Sequence, residues 1–180
     1  VIVSRENYGE YDAAIRYNAI LALGELSEVD PDGKPWARPF EKLLLPVVTS
    51  KAAKDYLKVG ALIGVERYAS TPNGISPAKS AEASKVMFDL VKQTDPPAGR
   101  DPAVHAWMRR AAARVLVSLG TLGPDNSVVQ ALVGILSNPQ VRPTVRCEVA
   151  QLLGQLKYPA NAKVDYQSLA NYVGHETLEL

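Results

Sequence analysis

An all-α fold, a right-handed α-solenoid of about four antiparallel helix pairs, is the architecture that three features of this 180-residue chain predict. A twelve-residue helical pattern recurs in one register, at Ile15 to Leu26, Leu57 to Tyr68, Ala111 to Leu122 and Val145 to Leu156. Clusters of proline, glycine and Asx fall between the helical patterns and not inside them. No stretch shows sustained period-two alternation of β-branched residues, so no sheet is expected.

Helices are predicted near 10–27, 36–49, 51–69, 77–93, 102–122, 126–137, 141–157 and 165–174. Positions one, five, eight, nine and twelve of each twelve-mer share one side of a 3.6-residue helix. In the first helix they are Ile15, Ala19, Ala22, Leu23 and Leu26, and the Asp30-Pro31-Asp32-Gly33 break follows. The second predicted helix carries an apolar run from Phe40 to Val48 that can cover the third. The third places Leu57, Ala61, Gly64, Val65 and Tyr68 on its packed side and stops before Thr71-Pro72-Asn73-Gly74. The fourth, with Ala83 to Val91, ends at Asp95-Pro96-Pro97-Ala98-Gly99. Ala111, Val115, Ser118, Leu119 and Leu122 give the fifth its face, and Gly123-Pro124-Asp125-Asn126 closes it. Val128 to Leu136 forms the sixth. The seventh packs through Val145, Val149, Leu152, Leu153 and Leu156 and ends at Tyr158-Pro159-Ala160-Asn161. Small residues alternate with Leu and Val on these faces, which allows a partner helix to approach closely.

The second position of the frame is Arg16, Lys58, Ala112 and Arg146, so successive copies lie 42, 54 and 34 residues apart. Ile15-Arg16 followed by Ala22-Leu23-Gly24-Glu25-Leu26, and Val145-Arg146 followed by Leu152-Leu153-Gly154-Gln155-Leu156, resemble the second helix of HEAT repeats. The likeness is to the bacterial variant called PBS-lyase HEAT-like. It covers roughly residues 10–175, and copy two departs from it by holding Glu66 where glycine is usual. The resemblance implies a binding scaffold and no particular activity. The basic second position resembles an arginine that pairs with an acid or a carbonyl of the adjacent turn; Asp12 and Asp55 are spaced to pair with Arg16 and Lys58. The first copy lacks a preceding partner helix, and 165–174 reads as a partner helix without its second helix. The 180 residues are therefore expected to form one segment of a longer protein, or one that stacks end to end.

A protein-binding face is expected on the far side of the second helices. Its residues are Ala14, Asn18, Leu21 and Glu25; Tyr56, Gly60, Ile63 and Arg67; Arg110, Arg114, Val117 and Thr121; and Thr144, Glu148, Gln151 and Gln155. An apolar thread of Leu21, Ile63 and Val117 in a polar surround suits a protein or peptide groove. The alternative is nucleic acid. Residues 1–32 carry two basic and seven acidic side chains, 33–146 sixteen and eight, and 147–180 two and four. That positive middle, with Trp107 beside Arg109, Arg110 and Arg114, has the makings of phosphate contact and base stacking. A third possibility is a structural spacer in a larger multidomain protein.

Chemistry is expected nowhere: no catalytic residue, no metal site and no cofactor. His105 and His175 lie far apart and outside metal-binding spacings. Asp30 to Gly33 opens like a calcium loop but lacks the downstream Glu, and turn formation explains it. The lone Cys147 flanks a packed face, and no glycine-rich phosphate loop is present. Trp36 reads as an aromatic tucked against the array. No apolar run approaches the roughly 20 residues needed to span a bilayer, so no membrane insertion is expected. The first residues, Val1 to Arg5, do not read as a signal peptide.

Overall fold

Proline and aspartate start most of the helices. In the computed structural model, which describes residues 12–26, 39–159, 162 and 164–178, every regular element is helical. α1 spans Ala13–Glu25 and is capped by Asp12, whose carboxylate accepts from the Ala14 N–H. A π-helical turn, Phe40–Leu44, runs directly into α2, Leu45–Thr49. Pro46 cannot donate a backbone hydrogen bond, and the widened turn before it carries the Leu45 N–H back to the Phe40 carbonyl. α3 is Asp55–Ser70, and α4, Pro77–Lys92, opens on its proline. α5, Pro102–Ser118, pairs an N-terminal proline with Asp101, which accepts from Ala103 and Val104 N–H at 2.7 and 3.1 Å. It ends where Gly120 takes φ +64° and the Thr121 N–H turns back to the Leu116 carbonyl. α6 is Ser127–Leu136, α7 Pro143–Gln155 and α8 Tyr166–Leu178.

Each of α2, α4 and α6 packs on the helix that follows it, α3, α5 and α7 respectively. α1, α3, α5 and α7 also touch one another in sequence order, while α4 meets α6 and α6 meets α8. α5 therefore has neighbours on three sides, and Ala111, Ala112 and Ala113 are all fully buried there. Only a small side chain fits so many approaching helices at once. The expected partner runs are in the core, with Phe40, Leu44, Met87, Leu132 and Leu136 inaccessible or nearly so. The packed side of copy two stands as expected, with Leu57, Ala61, Gly64, Val65 and Tyr68 buried; in copy four Val149, Leu152, Leu153 and Leu156 are buried and Val145 is half-buried. In copy three Ser118 is exposed and faces Ser70, with 3.2 Å between hydroxyl oxygens.

The first helix differs from expectation. Ile15 is 49% and Leu26 40% exposed, and Ala22 is exposed as well. α1 instead buries Ile20 and Gly24 against α3. The approach is close enough that a Cβ on Gly24 would stand 2.7 Å from the Gly64 Cα, and one on Gly60 2.5 Å from the Ile20 Cγ2. The physical reason is lateral: α1 packs chiefly against α3, its neighbour in the row, and this sets which side is buried. Trp36 and the Asp30 to Gly33 turn lie outside the described residues, as does the His175 side chain.

Candidate functional site

Opposite charges at matching points of successive helices join the predicted face together. Glu25 of α1 forms an ion pair with Arg67 of α3, and both occupy position eleven of their copies. Next to them the Tyr68 hydroxyl donates to the Leu26 carbonyl at 2.7 Å, a match at position twelve. Arg114 of α5 donates through Nη1 to Glu148 Oε1 of α7 at 2.6 Å, and both are at position four. Arg110 lies one turn earlier, its Nη1 3.7 Å from Glu148 Oε2. Adjacent copies thus meet position against position at α1–α3 and α5–α7. Between α3 and α5 the register differs. Arg114 Nε donates to Glu66 Oε1 at 2.8 Å, and Ser70 faces Ser118; both contacts join residues 48 apart, against the frame spacing of 54.

Arg114 is the centre of this ladder. Its side chain is 27% exposed, and it bridges two carboxylates of similar burial. Burial alone would lower its pKa, but the hydrogen bonds to Glu66 and Glu148 outweigh that and raise it. The guanidinium carbon also lies 6.0 Å from the centre of the Trp107 ring. Glu66 is the member that sequence reasoning missed. Its signal was the departure from the glycine expected at that position. Of the other residues predicted for the face, Asn18, Gln151 and Gln155 are exposed. Thr121 sits in the turn after α5, accepting from the Gly123 N–H at 3.2 Å. Tyr56 is half-buried beneath Arg16, 5.8 Å from guanidinium carbon to ring centre, and its hydroxyl has no hydrogen-bond partner among the described residues. The apolar thread is on the same helices, with Ile63 37% exposed and Leu21 and Val117 half-buried.

A second polar cluster lies at the start of α3. Asp55 was expected to pair with Lys58; its Oδ1 instead accepts from Nε of Arg100 at 3.1 Å, and Nη2 of the same guanidinium lies 3.1 Å from that oxygen as an ion pair. Arg100 outcompetes Lys58 because its guanidinium adds a charge-assisted hydrogen bond to the ion pair from a side chain that is only 9% exposed. The chain continues from Arg100 Nη1 to His105 Nδ1 at 3.2 Å and from His105 Nε2 to the Gln93 carbonyl at 2.8 Å. Since a carbonyl only accepts, Nε2 carries the proton and Nδ1 is left to accept from Arg100: His105 is neutral. Burial first, then the Arg100 and Arg109 charges, push its pKa below the ordinary 6.5 despite the Gln93 bond. Lys58 is half-buried, and burial followed by Arg100 lowers its pKa below 10.5.

Among the described residues no cluster of three or more His, Cys, Asp or Glu has a metal-binding arrangement, and no helix is long and apolar enough to cross a membrane. No family model, no curated protein and no solved structure matches the chain. The likeness to HEAT-like repeats therefore rests on the residues quoted above.

Proposed function

We propose that the chain is a HEAT-like α-solenoid segment that works without catalysis, as a scaffold presenting the shared face of α1, α3, α5 and α7 to a protein partner. The observation that carries this reading is the position-for-position meeting of copies, Glu25 with Arg67 and Arg114 with Glu148. Neighbours related by nearly the same step are what a stacked array produces. The ladder consumes the charges of the face within the chain. A partner then meets a rigid surface whose uncommitted parts are Ile63, Val117 and the side chains of Asn18, Gln151 and Gln155. Because the ion pairs fix the face beforehand, little ordering entropy is lost when the partner docks.

Nucleic acid is the weaker alternative, since its three arginines are already engaged. Arg109 donates to the Val91 carbonyl, while Arg110 and Arg114 pair with Glu148. The test is affinity capture from the source cell with wild-type, Ile63→Glu and Gln151→Glu baits, washed at low and high salt. A defined protein that survives high salt on the wild type and is lost from both variants supports the scaffold. Nucleic acid that washes off with salt, or a protein retained equally by all three baits, refutes the assignment of this face.

A further inference from the structure

The start of α3, α4 and the loop leading to α5 enclose a groove of about 870 Å³, within the size range of small-ligand sites. Its lining divides by polarity, with the half-buried Val86 and Leu90 on the apolar part and Lys51, Lys54, Lys58 and Arg100 supplying cations. Two carboxylates line it as well. Asp55 is committed to Arg100, and Asp89 is exposed on α4. Lys58 thus feels the nearby Arg100 charge and forms no ion pair among the described residues, although an acid lies three residues before it. Because Asp55 is taken up by Arg100, the half-buried Lys58 ammonium carries a desolvation cost that an incoming anion would offset.

We propose that this groove binds a small phosphate-bearing ligand, with the phosphate on Lys58 and on Lys51 at the rim, and the less polar part over Val86 and Leu90. Lysine ammoniums are compact point charges suited to a phosphate dianion approached from several directions. The depressed pKa of Lys58 agrees with this, since a bound anion would return it upward. The site is separate from the face proposed for protein binding and does not depend on it.

The experiment is an amide NMR titration of the full chain with inorganic phosphate and with phenyl phosphate. Saturable shifts are expected at residues 51–58 and 98–100, with phenyl phosphate binding more tightly than inorganic phosphate. Lys58→Gln should weaken binding about tenfold and Lys51→Gln, an exposed change that leaves the fold intact, about threefold. Lys85→Gln, on α4 and not part of the groove lining, should leave it unchanged. Shifts that never saturate, or affinities equal in the wild type, Lys58→Gln and Lys51→Gln, would overturn the proposal.

Discussion

Replacing glycine by alanine should change the stability of this chain in opposite directions at two helical sites. In a helix interior the exchange gains up to about 1 kcal/mol from backbone entropy and propensity. At Gly154, in the last turn of α7, nothing lies within 4 Å of an added Cβ, so part of that gain is expected, roughly 0.3–0.8 kcal/mol. At Gly64 of α3 an added Cβ would stand 2.9 Å from the Gly24 Cα and 2.8 Å from Leu44 Cδ1. The Leu44 methyl is fully buried, and the Gly24 contact is backbone, so α1 itself would have to move. Overpacking of this kind costs about 1–3 kcal/mol, which leaves Gly64→Ala destabilising by roughly 0–2 kcal/mol after the propensity gain. Gly24→Ala, with its Cβ 2.7 Å from the Gly64 Cα, should behave like Gly64→Ala. Urea unfolding followed by circular dichroism reads all three as shifts in midpoint at constant slope. Stabilisation of Gly64→Ala by as much as Gly154→Ala would mean that α1 and α3 do not meet through these glycines.

Acid should weaken the α3–α5 junction. The folded-state pKa of His105 lies below 6.5, so the folded chain favours the neutral ring; its contribution is present above 6.5 and is lost as pH falls through the lower folded value. Unfolding free energy measured between pH 7 and 5 should therefore decline, and the decline should be shallower in His105→Gln; identical slopes would refute the assignment of a neutral, hydrogen-bonded ring. Asp101→Ala removes the acceptor for two N–H groups at the start of α5 and should cost about 1 kcal/mol. Asp101→Asn should restore most of that in the same urea assay, and no loss in Asp101→Ala would argue against the cap.

Much of this architecture was legible because local pattern and packing agree. Pro77, Pro102 and Pro143 mark helix starts, and the buried sides of α3 and α7 follow the 3.6 period. α1 was misjudged because periodicity shows which residues share a side, not which neighbour covers it. Ile15 and Leu26 are apolar and aligned, yet the contact with α3 runs through Ile20 and Gly24. The charged face was legible residue by residue but not as a ladder. Arg114 and Glu148 are 34 residues apart and Glu25 and Arg67 are 42 apart, the spacings of their copies. Comparing charges at equal frame positions would have paired them. Nothing in the sequence marked the Arg100 bond to Asp55, which spans 45 residues and joins a loop to a helix start.

A double-mutant cycle across the ladder tests most directly whether α3, α5 and α7 stand side by side on one face. The single variants are Glu66→Gln, Arg114→Met and Glu148→Gln, with the two doubles that include Arg114→Met. Charge-assisted hydrogen bonds between side chains 27–29% exposed should give coupling free energies of about 0.5–1.5 kcal/mol for each pair. Both couplings should shrink in high salt. Additive effects in both cycles, within about 0.3 kcal/mol, would contradict the shared face and the repeat stacking inferred from it.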